Sequence, residues 1–270
     1  MAVTFDGSND VIDLGSSASL TDIDTQGGGG ITISAWINPT SIPASPTAAN
    51  IFCKADTYIL GDWQFFCRKT SINAKPSLSF FRNCAGTDID VVGKDDLVVL
   101  SSWQHVLMTW TGSLTATTVK FYQNGTESSS YTKQQNGTVS VTSDATVNAH
   151  IGDSQSSEPF TGGVSEVSVW NSILSSVNIS SLYGSGNPTK GTPMNVSPST
   201  LISYWPMDEF TNGATCSGSN TIIDHTSNVN HGTPQNSPVG LTEPLPYSLG
   251  IWQPRMSQPL FSRDEMINYA

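Results

Sequence analysis

The chain is a succession of short segments in which apolar and polar residues alternate. In "ITISAWINP", residues 31–39, the apolar residues Ile31, Ile33, Ala35 and Ile37 occupy every second position. A period of two places successive side chains on opposite faces of an extended strand. The segment therefore predicts a β-strand that is buried on one face.

The same kind of segment recurs between turn-forming residues along the chain. The further segments read "NIFCKADTYI", "WQFFCRK", "LSFFRN", "WQHVLMTW", "VKFYQNG", "NAHIGDS" and "FTGGVSEVSVWNSIL". Asn124 and Gly125 both tolerate positive φ and predict a type I′ hairpin, so that a strand returns after them. Gly162 and Gly163 indicate a bulge or a close backbone approach. Many short strands with little helix predict an all-β, two-sheet antiparallel sandwich.

Two regions depart from the strand pattern. Residues 175–184 predict a short helix, with a serine cap at its start and Gly184 at its end. After Gly186 the chain becomes rich in Pro, Ser and Thr, and prolines recur beyond residue 243. We therefore predict a sandwich domain over 1–190, a linker and strand segment over 191–240 that packs on the sandwich, and an extended tail over 241–270.

Composition narrows the classes of partner. The formal net charge of −11 would repel a phosphate backbone, which argues against nucleic acid. No segment approaches the roughly 20 apolar residues of a membrane helix, so membrane insertion is not expected. The opening "MAVTFDGSND" also lacks the basic start and apolar core of a signal peptide.

The four cysteines, Cys53, Cys67, Cys84 and Cys216, show no spacing typical of a metal site. Buried free thiols are the first interpretation. A cross-strand disulfide between Cys53 and Cys67 is the alternative if the protein matures outside a reducing cytosol.

The order of "VTFDGSNDVIDLG", "ITISAWINP", "WQHVLMTW", "VKFYQNG", "HIGD" and "FTGGVSEVSVWNSIL" resembles the laminin G-like domains of the concanavalin A-like lectin/glucanase type. The resemblance covers roughly residues 1–185 and is greatest to the branch related to pentraxins. It implies a two-sheet jelly roll. The fold alone does not decide function, because it is shared by lectins, adhesion modules, enzymes and structural proteins.

A second phrase, "YWPMDEF" followed by "IIDHTSNVNHGT", resembles a segment that opens the domain in many members of this family. Here it follows the last strand. It either begins a truncated second repeat or supplies a strand to the same sandwich from the other end, as in a circular permutation. We favour the second interpretation, and we read the Asp, Asn and His residues of 221–233 as a structural turn rather than a metal or catalytic site.

Calcium is the expected cofactor, through the resemblance to pentraxin-like proteins. The implied ligands lie in the loops after "FCKAD" and after "IGD" and are Asp56, Asp62, Asp153 and Glu158. Carboxylates on loops at the rim of a sandwich suit a cation that takes six to eight oxygen ligands. Solvated loop acids are the alternative.

Glycan recognition requires an aromatic platform surrounded by amides or hydroxyls. Tyr58, Trp63 and Gln64 are the local candidates, next to Asp62. Packing in the core is the alternative role for Trp63.

Catalytic patterns are missing from the sequence. A glucanase of this fold carries paired carboxylates on one strand, and the nearest approach, "TDIDVVGKDD", contains Asp88, Asp90, Asp95 and Asp96 but no Glu. We interpret this segment as an acidic loop. His105 and His150 are interpreted as structural residues, and no nucleophile or phosphate-binding motif occurs.

We expect a non-enzymatic, surface-displayed module that resembles phage-encoded members of the family. It would be a virion protein of the capsid or tail fibre with a role in glycan or cell-surface attachment. The expected partners are other virion subunits and further copies of the chain, contacted through the tail that carries Trp252, Met256, Leu260 and Phe261. A secreted, extracellular calcium-dependent lectin or adhesin is the alternative, and a glycan-cleaving enzyme is a third hypothesis.

Overall fold

The computed structural model describes residues 1–23, 29–44, 47–55, 60–69, 75–154, 158–186 and 192–242. The strands are β1 (Ala2–Asp6), β2 (Val11–Gly15), β3 (Ile31–Ser41), β4 (Ala49–Lys54), β5 (Trp63–Lys69), β6 (Pro76–Arg82), β7 (Ile89–Gly93), β8 (Gln104–Trp110), β9 (Lys120–Gln123), β10 (Thr126–Glu127), β11 (Tyr131–Gln135), β12 (Ala149–Ile151), β13 (Thr161–Trp170), β14 (Leu201–Trp205), β15 (Thr233–Gln235) and β16 (Val239–Leu241). One α-helix, α1 (Ser176–Tyr183), and short 3₁₀ turns at Ala18–Leu20, Ala116–Thr118, Gly184–Gly186 and Thr192–Asn195 complete the described elements.

The strands form two sheets of eight strands each. Sheet A has the order β10-β9-β8-β3-β13-β1-β16, with β14 also paired to β13, and sheet B has the order β11-β7-β6-β5-β4-β12-β2-β15. All pairings between these strands are antiparallel. The predicted two-sheet antiparallel sandwich of the jelly-roll type is confirmed.

The core lies between the two sheets, and alternation decides which side chains enter it. The apolar residues of β3 that alternate in the sequence, from Ile31 to Ile37, are all buried in the main apolar cluster. Sheet B contributes Phe52, Phe65 and Phe80 to the same cluster. Burying an aliphatic or phenyl side chain of this size contributes roughly 1.5–3 kcal/mol relative to leaving it exposed, so these strands are held chiefly by their inward faces.

One segment differs from the sequence interpretation. The stretch around Asp88 and Asp90 was predicted to be an acidic loop, but Ile89–Gly93 forms β7 between β6 and β11. Ile89 and Val91 face the core. Two apolar residues at alternate positions are therefore sufficient for a strand to form here, because the neighbouring strands on both sides supply its backbone hydrogen bonds.

Helix α1 forms where it was predicted, and its ends show why. The hydroxyl of Ser175 accepts a hydrogen bond from the backbone N–H of Asn178, and Gly184 ends the helix in the left-handed region at φ 60°. The helix covers the outer face of sheet A and closes a second, small apolar cluster that includes Trp170 and Leu182.

The backbone has the conformations predicted at two glycine-containing positions. Asn124 and Gly125 both have positive φ, 50° and 74°, in the hairpin between β9 and β10. Gly162 has φ 130°, and a Cβ there would lie 2.2 Å from the carbonyl oxygen of Asn38 on β3. Only glycine allows β13 to approach β3 this closely.

The segment that follows α1 adds strands to both sheets. The sequence predicted that 201–240 packs on the sandwich. In the structure β14 pairs with β13, β15 with β2 and β16 with β1. β1 and β14 follow one another along the same side of β13, at Thr161–Val164 and at Val167–Trp170.

The polar stretch 221–233 is a hydrogen-bonded turn that secures β14. The buried carboxylate of Asp224 accepts hydrogen bonds from the backbone N–H groups of Tyr204, Thr226 and Asn230, at 2.9–3.0 Å, and from the hydroxyl of Thr226. The indole N–H of Trp205 donates to the carbonyl oxygen of Asn230 at 2.7 Å. Asp224 therefore organises the turn and fixes it to the strand.

A second buried carboxylate, Asp144, joins the loops at one end of sheet B. Its side chain and that of Lys54 are both 0% exposed, and Lys54 Nζ lies 3.0 Å from Asp144 Oδ1. The indole N–H of Trp63 and the backbone N–H of Asp22 each donate to it at 2.8 Å. Arg82 Nη1 lies 4.0 Å away.

The edge strands β10, β16, β11 and β15 are short, irregular or covered. In sheet A, β10 has two residues, and the backbone of Gly240 in β16 exchanges hydrogen bonds with Gly213 and Ala214. In sheet B, the register of β11 shifts between Tyr131 and Lys133, and β15 carries Pro234 at its centre.

The four cysteines are buried free thiols. Cys67 faces the core, whereas Cys53 pairs with Gln64 on the opposite face of sheet B. Side chains on opposite faces of a sheet cannot form a disulfide, so the Cys53–Cys67 alternative is not realised. None of the described helices has the length and apolar character needed to cross a membrane.

Candidate functional site

A continuous row of side chains crosses the outer face of sheet B. Strand register places Cα partners in line on seven neighbouring strands, in the order Asp13, His150, Cys53, Gln64, Phe81, Asp90 and Gln135. For the six members from Asp13 to Asp90 the residues on either side in sequence are buried, as alternation requires, whereas the neighbours of Gln135 on the edge strand are exposed. The row therefore combines carboxylates, amides and one aromatic ring on a single face of the sheet, where Asp13, Phe81 and Gln135 are partly exposed and the other members are buried.

Gln64, a predicted glycan contact, belongs to this row. It lies between Cys53 and Phe81 and is largely buried. Tyr58, the second predicted contact, lies outside the described residues.

Trp63, the third predicted glycan contact, lies on the core side of β5. Its ring is 2% exposed and is stacked on Phe52 at 5.8 Å between centroids, and its indole N–H donates to Asp144. A platform for a sugar needs an exposed ring face. The structure thus places Trp63 in the core role that the sequence left as the alternative.

The described members of the predicted calcium set lie around Cys53. Burial raises the pKa of the Cys53 thiol well above its usual range, and the negative charges of Asp153, Glu158 and Asp62 raise it further. Three carboxylates from two loops, Asp153 and Glu158 between β12 and β13 and Asp62 before β5, therefore act on one point of the sheet. Asp56, the fourth predicted ligand, lies outside the described residues.

Asp153 and Glu158 are held close together. Asp153 Oδ1 accepts hydrogen bonds from the backbone N–H groups of Ser154, at 2.7 Å, and Glu158, at 3.0 Å. Burial raises the pKa of Asp153, while these two N–H groups oppose the shift. The Glu158 carboxylate accepts from the amide of Asn50 at 3.2 Å.

Asn50 completes this group of oxygens. Asn50 is 0% exposed, and its side-chain Oδ1 has no hydrogen-bond partner among the described residues. Within the described part of the chain, no three His, Cys, Asp or Glu side chains are arranged to hold a metal ion by themselves. Two carboxylates and a spare amide oxygen nevertheless fit part of the oxygen set of a calcium ion, which also uses carbonyl groups and water.

Three charged side chains meet farther along the same face. Arg68 Nη2 lies 2.5 Å from Asp90 Oδ1, and Lys133 Nζ lies 2.6 Å from Asp90 Oδ2. The guanidinium also lies over the ring of Phe66, 5.5 Å from its centroid. This group was not predicted, because Asp90 was interpreted as part of a loop. The alternation of Ile89, Asp90 and Val91 was the signal that could have placed Asp90 on the outer face.

The two predicted structural histidines are buried. His105 lies 2.8 Å from the hydroxyl of Ser34 through Nε2, and burial lowers its pKa to about 3. His150 belongs to the outer row, 3.8 Å from Asp13. A ring that stays neutral under ordinary conditions suits the structural role predicted for His105.

The fold and this geometry can be compared with known proteins. A family model described as the concanavalin A-like lectin/glucanases superfamily matches residues 6–180. No curated protein sequence matches the chain.

Several solved structures are similar at low identity. A protein from Bacteroides ovatus that is classed provisionally as carbohydrate-binding is 18% identical, with a TM-score of 0.55 over 90% of this chain, and this chain spans 60% of that protein. The heptameric SAP-like pentraxin of Limulus polyphemus is 16% identical over 67% of this chain and 81% of that one, with a TM-score of 0.43. Tailspike protein 2 of the Escherichia coli O157:H7 bacteriophage CAB120 is 17% identical over 76% of this chain and 30% of that one, with a TM-score of 0.45. At 18% identity, the similarity to the Bacteroides ovatus protein shows the fold and no more.

Proposed function

This chain belongs to the concanavalin A-like lectin/glucanase superfamily, and on that premise we propose that it is a glycan-binding module without enzymatic activity. The observation that carries the proposal is the row across the outer face of sheet B. Phe81 is half-buried there between Gln64 and Asp90. A sugar offers an apolar ring face and a rim of hydroxyls, which an aromatic ring flanked by amide and carboxylate groups complements.

The positions of the carboxylates in the row support a non-enzymatic role. Asp13 on β2 and Asp90 on β7 are five strand spacings apart, which corresponds to about 24 Å at ~4.8 Å per spacing. Glycoside hydrolysis uses two carboxyl groups about 5–9.5 Å apart. Asp90 is also paired with two cationic side chains, those of Arg68 and Lys133. Asp13 accepts hydrogen bonds from Asn148 and Gln235.

A calcium ion at the rim of this face is part of the proposal. Asp153, Glu158 and Asn50 Oδ1 would hold it, with the carboxylate of Asp62 adding negative charge nearby. A bound calcium ion supplies coordination sites for vicinal hydroxyl oxygens. The contribution of the chain is to hold these oxygens through the Ser154 and Glu158 N–H groups and the Asn50 amide.

Calcium-dependent glycan binding is the first test. We expect calorimetry to show calcium binding, and a glycan array to show signals that EDTA removes. Asp153→Asn should weaken calcium binding at least tenfold, because it removes one anionic ligand. Asp96→Asn is the matched control, since that carboxylate is 59% exposed and Lys75 is its one ion-pair partner among the described residues.

The outcomes separate the parts of this proposal. Glycan binding that persists in EDTA would remove calcium and keep the lectin role. An array without any signal, in the presence of calcium, would overturn the lectin role itself. Sugar release from laminarin or alginate would overturn the non-enzymatic assignment.

We place this module on a virion, as a capsid or tail-fibre subunit, with a secreted lectin or adhesin as the alternative. The support is in the sequence: charged residues form 12% of the chain, and the terminal segment 243–270 carries Trp252, Leu260 and Phe261, which suit docking on another subunit. We expect the protein to co-sediment with particles and deletion of 243–270 to release it. Protein found only free in the medium would favour the alternative.

A further inference from the structure

One group of side chains on the outer face of sheet B has a local charge opposite to that of the chain as a whole. The chain has a formal net charge of −11 and only 11 Lys and Arg residues. Two of these, Arg68 and Lys133, meet at the single carboxylate of Asp90. The group therefore carries one surplus positive charge on the surface that we propose for glycan binding.

The three side chains hold the two cationic groups in fixed positions. Each oxygen of Asp90 contacts one of them, Arg68 at 2.5 Å and Lys133 at 2.6 Å. The side chains of Asp90 and Arg68 are 11% and 15% exposed, and Phe66 lies under the guanidinium. Little conformational freedom remains for Arg68 to lose when a ligand binds.

Within the described part of the chain, most of the N–H donors of Arg68 and Lys133 have no acceptor. Among the described residues, Asp90 is the one hydrogen-bond acceptor of both the Arg68 guanidinium and the Lys133 ammonium. A guanidinium has five N–H donors and an ammonium has three. Lys133 is 45% exposed, so its remaining donors are open to a ligand.

We propose that Arg68 and Lys133 form an anion subsite that selects acidic glycans, whose sugars carry a carboxylate or sulfate group. The guanidinium suits a planar or tetrahedral oxyanion, and the ammonium adds a point charge beside it. The partly exposed ring of Phe81, next to Asp90 in register, lies beside the sugar ring that bears the anion. This inference rests on the proposed function and adds the class of glycan to it.

Two matched pairs of polysaccharides test the proposal. Polygalacturonate is compared with its fully methyl-esterified form, and κ-carrageenan with its desulfated form. We expect the acidic member of at least one pair to bind roughly tenfold more tightly for each ionic contact that the neutral member cannot make. Added salt should weaken this preference, because it screens the charges. The pair that shows the preference distinguishes a carboxylate from a sulfate ligand.

Variants assign the preference to these residues. Arg68→Gln combined with Lys133→Gln should bring the affinities of the acidic and neutral members within twofold of each other. Lys133→Gln alone should reduce the preference severalfold, and it changes an exposed side chain on an edge strand, so the fold should persist. Lys120→Gln is the matched control, because Lys120 is 39% exposed and pairs with Glu127 on sheet A.

Different results would overturn the anion subsite and the proposed glycan-binding function. Equal binding of neutral and acidic members would overturn the anion subsite and keep the glycan-binding module. A preference that survives in the double variant would also overturn the assignment to Arg68 and Lys133. Failure of both pairs, together with an array without signal, would overturn the proposed function and the subsite together.

Discussion

Replacing Asp144 with alanine is expected to lower the free energy of unfolding by about 3–5 kcal/mol. The substitution leaves the fully buried ammonium of Lys54 with the carbonyl oxygen of Leu20 as its remaining described partner, at 2.8 Å. It also removes the acceptor of the Trp63 and Asp22 N–H groups. Urea unfolding followed by tryptophan fluorescence measures the loss.

Two further variants separate this effect from general fragility. In the double variant Lys54→Met, Asp144→Leu no buried ammonium is left unpaired, so it should be less destabilised than Asp144→Ala. Asp96→Asn removes the charge from an exposed ion pair with Lys75, keeps a residue type that tolerates the left-handed φ of 59° at this position, and should leave the unfolding midpoint unchanged. A midpoint for Asp144→Ala equal to that of the unmodified protein would show that the buried cluster does not hold the loops together.

Replacing Asp224 with alanine is expected to cost about 3 kcal/mol of stability, because several buried donors lose a charged acceptor together. The backbone N–H groups of Tyr204, Thr226 and Asn230 all point at this carboxylate. The loss should open β14 locally, and hydrogen exchange at Tyr204 should accelerate more than exchange in β3. Differential hydrogen exchange by mass spectrometry resolves the two strands.

His225 is the control for the Asp224 experiment. Its side chain is exposed, and its ring contacts Tyr204 edge-on at 5.7 Å between centroids. His225→Ala should have little effect on stability or on glycan binding. If 221–233 were a metal or catalytic site, the same substitution would change metal binding or catalysis. Equal, small effects of Asp224→Ala and His225→Ala would contradict the structural role of the turn.

The features that sequence reasoning located are those set by local chemistry. The alternation from Ile31 to Ile37 needs no distant partner to be recognised as a strand. The ends of α1 follow from Ser175 and Gly184, and the hairpin follows from Asn124 and Gly125, because each of these residues acts on its own backbone.

The features that sequence reasoning missed depend on distant partners. β7 was interpreted as a loop because acidic residues surround its apolar ones, and only pairing with β6 and β11 makes it a strand. Arg68 and Lys133 are 22 and 43 positions from Asp90 in sequence. Their meeting depends on strand register, which no local pattern in the chain specifies.

The candidate site shows the same limit at a single position. In "WQFFCRK", aromatic residues occupy both faces of β5, so alternation does not reveal which face is inward. Trp63 and Gln64 were therefore grouped as neighbours in one glycan site, although adjacent residues of a strand point to opposite sides. The register with β4 and β6 resolves this, with Gln64 outward and Trp63 in the core.

The protected edge strands bear on how the protein behaves at high local concentration. Fibrillar aggregates grow when an exposed strand accepts a strand from another chain, and short, kinked, proline-containing or covered edges resist this. The edges formed by β10, β11, β15 and β16 each carry one of these protections. Many copies could therefore be held side by side at high local concentration without merging into a common sheet, and contacts between copies would be made through side chains, where they can be reversible and specific.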